Sequence, residues 1–283
     1  MILINGQPAD TIPIADRGFQ YGDGVFETLA VERGAPLCLT AHLKRLTCGC
    51  QRLAILAPDS VLLREEIKAV TASLDRGVLK IIITRGSGGR GYAPMVTGPA
   101  TRIVAGLNGS GHPLEYREQG IEAFLCRMRL ARNPALAGIK HLNRLEQVLG
   151  RGECQTRGIP EGIMMDTEGN LIEGTMSNLF LVRGQELITP DLFHSGIRGI
   201  VRDRIIKLAR AGGRFRVRES VFGASALEEA DEVFFCNSLI GIWPVRRYRT
   251  ITFSLGPATR YLQEALIGQA AILSEAPPQA DKT

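Results

Sequence analysis

Only six lysines occur in the 283-residue chain, and the surroundings of one of them, Lys140, suit covalent chemistry. Lys140 follows Gly138 and Ile139 in the segment LAGIKHLNRLEQVL, where a loop is predicted to give way to an amphipathic helix. A lysine near a helix N-terminus and among apolar residues has its charged form disfavoured, which makes the amine more nucleophilic. The position therefore suits a Schiff-base lysine, although most lysines in such a position are structural when the pattern is taken alone.

Two other segments point to the same chemistry. Glu173, in LIEGTMSNLF, is a lone carboxylate at the end of a short predicted strand, and such an acid keeps a pyridinium nitrogen protonated. Gly196 and Gly199 precede a helix predicted over 199–211, where free backbone N–H groups can bind a phosphate. A turn carboxylate and an ordinary helix entry are the alternatives. Together with the lysine, these features favour a site for a phosphorylated pyridine cofactor.

Several common sites are excluded by their motifs. The segment RGSGGRGY contains GxGxxG after a predicted strand, but Pro94 and Pro99 interrupt any following helix and no acid occurs before Glu115, so the dinucleotide-binding motif fails. The glycine-rich loop still carries Arg85 and Arg90, which could bind an anion. The spacing of its residues alone, however, favours a tight connection between two elements. GxSxG and GxxxxGK[ST] are absent, which removes the signatures of serine hydrolases and P-loop proteins.

The cysteines and histidines do not form a metal-binding pattern. The six cysteines include no CxxC, and the four histidines include no HxxxH or HExxH. We therefore expect free, buried thiols and no metal site.

Composition predicts a globular protein with a real core. Hydrophobic residues make up 45% of the chain and charged residues 22%, which excludes a disordered chain. No apolar run approaches the ~20 residues of a membrane-spanning helix, and the first residues lack the features of a signal peptide, so we expect a cytoplasmic protein with no membrane partner. The net charge of +5 comes without a nucleic-acid-binding motif and suits a small anionic substrate.

Hydrophobic periodicity predicts an α+β fold with two domains. The predicted domains are residues 1–107 and 114–273, joined by a linker at 108–113 and followed by a disordered tail at 274–283. Strands are predicted at ILI, GVFETLAV, VLKIIITR, TRIVAGL, GIEAFLCRMRL, GIMMD, SNLFLVR, RVRES, EVFFC and GIWPVRR. Helices are predicted over about 40–53, 59–74, 142–156, 199–211 and 257–271.

With these residues in view, the chain resembles the fold-type IV family of pyridoxal-phosphate enzymes, also called class IV aminotransferases. The shared segments are DRGFQYGDGVFETL, the lysine segment, EGTMSNLFLV and GIRGIVRD, within residues 3–245. The resemblance implies a two-domain architecture like that of D-amino-acid aminotransferase, pyridoxal 5′-phosphate as cofactor, and a homodimer whose active sites are completed by the partner chain.

The resemblance also assigns the cofactor site residue by residue. It implies that Lys140 forms the Schiff base and moves protons, that Glu173 pairs with the pyridine nitrogen, and that Arg45 binds the phosphate. The further phosphate contacts that it implies are Gly199, Ile200, Val201 and Ser238, with only the backbone serving at Val201.

Within the family, the segments RGSGGRGY, TGPATRI and RNPALAGIKHLNRLEQVL are similar to those of the lyases that act on 4-amino-4-deoxychorismate in folate biosynthesis. That resemblance implies an external aldimine, removal of the C4 proton by Lys140, and elimination of the enolpyruvyl group to give 4-aminobenzoate and pyruvate. Asn143 and Arg144 match a pair on the lysine segment, and we expect Arg90 and Arg144 to bind the substrate carboxylates.

Two alternatives stay open on the sequence. A D-amino-acid or branched-chain aminotransferase would use the same Lys140, Glu173 and Arg45, and Glu27, in VFET, is a residue that many aminotransferases of the family carry. A more distant alternative is a non-enzymatic anion-binding protein, which would hold Lys140 in a buried salt bridge.

Overall fold

Residues 1–94, 98–109 and 111–275 are described by the computed structural model of the chain, which divides into two units. Unit 1 comprises residues 1–111, 132–148 and 192–200, and unit 2 comprises residues 112–131, 149–191 and 201–283. Each unit is therefore assembled from separate stretches of the chain.

Unit 1 is built on a six-stranded antiparallel sheet with the order β2-β1-β6-β5-β3-β4. In chain order its elements are β1 (Ile2–Ile4), β2 (Gln7–Pro8), α1 (Arg17–Tyr21), β3 (Gly24–Glu32), β4 (Ala35–Pro36), α2 (Leu39–Arg52), α3 (Ser60–Thr71), β5 (Arg76–Thr84) and β6 (Thr101–Asn108).

The core of unit 1 follows from the alternation of β3. Val25, Leu29 and Val31 are buried, whereas the even-numbered residues between them are half-buried, because successive side chains of a strand point to opposite faces. The buried face packs with Leu46 of α2 and Ile67 of α3 in one apolar cluster. One face of β3 is thus covered by helices, and the other is left for polar chemistry.

Unit 2 contains a larger mixed sheet. Its elements are α4 (Glu115–Glu118), β7 (Ile121–Leu130), α5 (Leu145–Arg157, whose first four residues belong to unit 1), β8 (Glu161–Asp166), β9 (Leu171–Gly174), β10 (Asn178–Arg183), β11 (Glu186–Pro190), α6 (Ile200–Ala211, whose first residue belongs to unit 1), β12 (Arg216–Ser220), a 3-10 helix (Ala224–Leu227), β13 (Glu232–Asn237), β14 (Gly241–Tyr248), β15 (Ile251–Thr252) and α7 (Pro257–Glu275).

The sheet of unit 2 closes on itself. Its order is β12-β11-β10-β13-β14-β7-β8-β9, with β15 on β14, and β9 also pairs with β10. The path β10-β13-β14-β7-β8-β9 is therefore a ring of six strands, in which β7 runs parallel to β14 and to β8. Closure leaves no free edge along this path, and β8 and β9 are buried at every residue.

The α+β class is confirmed, and the predicted helices and strands lie close to the observed ones. The predicted helix at 142–156 is wrong at its start, because α5 begins at Leu145. The short α1 and the strand β11 were not predicted, since neither has a distinctive period in the sequence.

The predicted domain division differs from the two units in one respect. Segments 132–148 and 192–200 belong to unit 1, whereas the sequence-based division put both in the domain at 114–273. Contacts distant along the chain decide such membership, and local patterns do not carry them. Ser110 of the predicted linker and residues 276–283 of the predicted tail lie outside the described residues, while Ser274 and Glu275 belong to α7.

Two further sequence-based expectations concern membrane helices and thiols. In the ranges that the structure describes, every helix is too short or too polar to cross a membrane. None of the six cysteines, all within the described ranges, forms a disulfide, and four of them are buried. Cys38 is half-buried and Cys48 is exposed, contrary to the expectation of uniformly buried thiols.

Candidate active site

Lys140 lies on a strand-like segment beside β3. Its carbonyl accepts a hydrogen bond from the Phe26 N–H at 2.9 Å, and the Leu142 N–H donates to the Gly24 carbonyl at 2.9 Å. Between them, His141 and Val25 form an antiparallel β-bridge. The expected position near a helix N-terminus is therefore wrong, because the helix begins five residues later. Backbone groups at the start of β3 hold the lysine in place.

The Lys140 ammonium lies over an aromatic ring. Its Nζ is 4.3 Å from the centroid of the Phe26 ring, within the range of a cation–π interaction. Nζ of Lys80, on the adjacent strand β5, lies 5.8 Å from the same centroid. The half-buried face of β3 thus carries an aromatic surface with two amines beside it, neither of which was associated with Phe26 in the sequence.

Arg45 is held on the opposite face of β3 by a buried carboxylate. Its Nε donates to Oε1 of Glu27 at 2.7 Å and its Nη2 to Oε2 at 2.6 Å, while Nδ1 of His42 lies 2.6 Å from the same Oε2. Burial raises the pKa of Glu27, but the hydrogen bonds and charge of Arg45, together with His42, outweigh burial and lower that pKa below its ordinary value. Glu27 is therefore an anion at neutral pH.

The start of α6 is tied to the lysine segment within unit 1. Arg45 Nη1 donates to the Arg198 carbonyl at 2.8 Å, and the Gly138 N–H donates to the Gly196 carbonyl at 2.8 Å. Gly138 and Gly196 have φ of 80° and 84°, a left-handed conformation that favours glycine. Gly199 and Ile200 therefore follow a chain segment that is fixed both to Arg45 and to the residues just before Lys140.

The residues just after Lys140 have defined contacts. Asn143 Nδ2 donates to the Gly22 carbonyl at 3.0 Å, and Arg144 Nη2 contacts Nε2 of His141. Burial, and secondarily the charge of Arg144, lower the pKa of His141 to about 4, so its ring is neutral at pH 7 and accepts the hydrogen bond. His141 thus orients Arg144, and no sequence pattern indicated this.

The glycine-rich loop after β5 is held in place by hydrogen bonds of two arginine side chains. Arg85 donates to Asp23 at 2.8 Å and to the Leu53 and Ala54 carbonyls at 2.7 Å, and Arg17 donates to the carbonyls of Gly91 and Tyr92. Arg85 therefore has a structural role. Arg90 is exposed and lies in the turn that follows, where its carbonyl accepts from the Ala93 N–H.

In unit 2, Glu173 is a buried acid at the closing strand of the ring. It is 3% exposed, and on β9 it pairs with Met164 of β8 and Asn178 of β10. Strand pairing therefore fixes the backbone that carries this carboxylate from both sides. The acid recognised in the sequence is buried on a backbone held by two neighbouring strands.

The turn after Glu173 is organised by a second acid that the sequence analysis missed. Glu161 is fully buried on β8 and accepts hydrogen bonds from the Thr175 N–H and hydroxyl and from the Ser177 hydroxyl. A Cβ added at Gly174 would meet Ser177 Oγ at 2.3 Å, so only glycine fits there. The only sequence signal was an acid at the start of an otherwise apolar strand, EGIMMD.

Ser238 lies in a turn joined to the same region of unit 2. Asn237 Oδ1 accepts from the N–H groups of Leu239 and Ile240, and its Nδ2 donates to the Met176 carbonyl at 3.0 Å. The amide of Asn237 therefore fixes the turn containing Ser238 to the turn after Glu173. In the described part of the chain, no group of three His, Cys, Asp or Glu residues is arranged to hold a metal ion.

Comparison with known proteins gives consistent relatives. The aminodeoxychorismate lyase of Vibrio harveyi is 36% identical over 268 residues, which cover 93% of this chain and 98% of that protein. The crystal structure of 4-amino-4-deoxychorismate lyase from Pseudomonas aeruginosa is similar with a TM-score of 0.90 and 45% identity, covering 95% of this chain and 98% of that chain. The branched-chain amino acid aminotransferase of Escherichia coli is similar with a TM-score of 0.85 and 29% identity, covering 99% and 97%.

A family match covers most of the chain. Residues 24–248 match the family described as amino-transferase class IV. This range contains every residue that the sequence analysis assigned to the cofactor or the substrate, from Arg45 to Ser238. The predicted fold-type IV architecture is confirmed by the solved structures, and the chain belongs to the class IV aminotransferase family.

Proposed function

We propose that this protein is a pyridoxal-phosphate-dependent lyase that converts 4-amino-4-deoxychorismate to 4-aminobenzoate and pyruvate. The observation that carries the proposal is the similarity to two lyases of this substrate, at 36% and 45% identity over more than nine-tenths of the chain. The Escherichia coli aminotransferase is 29% identical over a comparable length.

The residues present fit the cofactor. Lys140 supplies an amine, Glu173 a buried carboxylate for a protonated ring nitrogen, and Arg45 a guanidinium for a phosphate. Ser195 Oγ, beside the glycine turn that leads to α6, is buried and makes no hydrogen bond within the described ranges. A buried hydroxyl without a partner is the kind of group that a bound ligand satisfies.

When bound, pyridoxal phosphate supplies an electron sink for the electron pair that deprotonation leaves on the substrate carbon. Lys140 acts as the base that removes the C4 proton and later returns a proton. Glu173 holds the ring nitrogen protonated. Loss of the enolpyruvyl ether then leaves a ring that aromatises, so the protein has mainly to orient the C4–H bond.

The remaining assignments concern phosphate and substrate carboxylates. We assign the phosphate to Arg45, to the backbone of Gly199, Ile200 and Val201, and to Ser238. For the two substrate carboxylates we assign Arg90 and Arg144, with Asn143 as their neighbour. The contact of Arg144 with His141 supports its part in this proposal, because the ring fixes one end of the guanidinium.

The test is turnover without a keto acid. The purified protein is loaded with pyridoxal phosphate and given 4-amino-4-deoxychorismate, and 4-aminobenzoate and pyruvate are quantified. We expect many turnovers and equal amounts of the two products. Reaction that stops after one turnover and resumes when a keto acid is added would instead establish the aminotransferase, which the similarity to the Escherichia coli enzyme keeps as the second candidate.

The homodimer and the cytoplasmic location expected from the sequence belong to the same proposal. Light scattering of the purified protein tests the first, and cell fractionation tests the second.

A further inference from the structure

Glu27 is a charged residue on the apolar, buried face of β3. Its neighbours on that face, Val25, Leu29 and Val31, are buried in an apolar core, and Glu27 itself is 0% exposed. Desolvating a carboxylate there costs about as much free energy as its ion pair with Arg45 regains. Stability alone therefore does not account for an acid at this position.

Glu27 and His42 fix the orientation of Arg45. His42 and Arg45 are three residues apart on α2, which puts them on the same face of the helix, and both contact the Glu27 carboxylate. Arg45 gives two N–H groups to Glu27 and one to the Arg198 carbonyl. A guanidinium has five N–H donors, so two remain for an anion.

We propose that Glu27 and His42 are positioning residues, which hold the Arg45 guanidinium so that its two remaining N–H groups bind the cofactor phosphate. This inference rests on the proposed function, in which Arg45 is a phosphate ligand. His42 acts on Glu27, Glu27 acts on Arg45, and only Arg45 touches the phosphate. The Arg198 carbonyl extends the same arrangement to the segment that enters α6.

The effect of charge on phosphate binding and the effect of positioning are opposite in sign for a variant of Glu27. Glu27→Gln removes a negative charge beside Arg45, so electrostatics alone would strengthen phosphate binding. A role in positioning predicts weaker phosphate binding. The amide of the Glu27→Gln variant has one acceptor oxygen, whereas the carboxylate accepts from two N–H groups of Arg45 at once. The sign of the change therefore separates the two effects.

The experiment compares pyridoxal phosphate with pyridoxal, which lacks the phosphate. The Kd of each compound for the cofactor-free protein is measured from the visible absorbance of the bound form. We expect Glu27→Gln to raise the Kd for pyridoxal phosphate about tenfold and to leave the Kd for pyridoxal within about twofold. His42→Leu should do the same to a smaller extent, and His42→Asn, which keeps a donor near the position of Nδ1, should restore the affinity.

A matched control lies in the same unit. Glu66 is 5% exposed and accepts two hydrogen bonds from Arg102, the same fork-to-fork geometry as Glu27 and Arg45. Glu66→Gln should therefore reproduce any general effect of breaking a buried pair, and we expect it to change neither Kd. The His42 variants give a second route to the answer if Glu27→Gln does not fold.

Several results would overturn the inference. One is that Glu27→Gln binds pyridoxal phosphate as tightly as the wild type or more tightly, while the affinity of His42→Leu is unchanged. Another is that Glu27→Gln loses affinity for pyridoxal phosphate and for pyridoxal equally. A wild-type protein that binds both compounds equally would also overturn the role of Arg45. Preference for the phosphate that depends on Glu27, in a protein that makes no 4-aminobenzoate, would support the positioning role and contradict the proposed reaction.

Discussion

The Nζ of Lys140 lies 4.3 Å from the centroid of the Phe26 ring, and the backbones of the same two residues are joined by a hydrogen bond of 2.9 Å. One strand residue therefore fixes both the main chain and the amine of the lysine. This double attachment limits where the amine can move and stabilises its charged form by about 0.5–2 kcal/mol.

Replacing the ring should slow the attachment of the cofactor. Phe26→Leu removes the aromatic face over which Nζ of Lys140 lies, so the amine loses a contact worth about 0.5–2 kcal/mol and is less well restrained. We expect the rate at which the cofactor-free protein combines with pyridoxal phosphate, followed by absorbance at one fixed pH, to fall by roughly threefold to tenfold. Phe26→Tyr, which keeps an aromatic face, should behave like the wild type. An unchanged or faster rate in Phe26→Leu would show that the ring does not position the amine.

Glu173 should be required for turnover and not for folding. A neutral amide cannot hold the pyridine nitrogen protonated, so we expect Glu173→Gln to lower kcat by at least about two orders of magnitude. Circular dichroism and the absorbance of the bound cofactor serve as controls that the variant is folded and loaded. Near-normal kcat in a loaded Glu173→Gln protein would remove Glu173 from the mechanism.

Glu161 should be important for stability, because its buried carboxylate accepts hydrogen bonds from the turn after Glu173. Glu161→Gln would present N–H donors to these donors, and we expect the free energy of unfolding to fall by about 2–3 kcal/mol in urea. The control is Glu229→Gln, which breaks an exposed pair with Arg183 and should cost less than about 1 kcal/mol. Equal losses in the two variants would contradict the organising role of Glu161.

His141 should make the protein less stable in mild acid. Its pKa is about 4 in the folded protein and 6.5 in an unfolded chain, so between these pH values the unfolded state binds more protons. The free energy of unfolding should therefore fall as the pH falls from 6.5 to 4, by on the order of 2 kcal/mol from this residue. His112, whose pKa is also lowered, contributes in the same direction. Urea unfolding of His141→Gln across this range should show a shallower decline than the wild type, and an identical decline would contradict the assignment.

Elements with a strong local period were predictable from the sequence. β5 is nearly continuous in apolar residues, and α3 begins where Asp59 follows Pro58, with the Asp59 carboxylate accepting from the N–H groups of Val61 and Leu62. In such segments the residues that decide the structure are neighbours in the chain. Residue type and spacing then suffice.

The surroundings of Lys140 and Arg45 were not predictable in the same way. Lys140 was identified by its type and its apolar neighbours, but it was assigned to a helix entry, because its pairing with Phe26 joins residues 114 positions apart. Glu27 was noted in the sequence without its partners, since His42 and Arg45 meet it only when α2 packs on β3. Contacts of this kind depend on tertiary packing, for which one sequence carries no local signal.

The most direct test of the central claim is to locate the cofactor on the chain. The loaded protein is reduced with borohydride, which makes the bond between cofactor and lysine permanent, and its peptides are weighed by mass spectrometry. We expect the added mass on the peptide containing Lys140 alone, and Lys140→Ala should carry none and make no 4-aminobenzoate. Added mass on another of the six lysines, or full turnover by Lys140→Ala, would contradict the assignment of Lys140 as the catalytic residue.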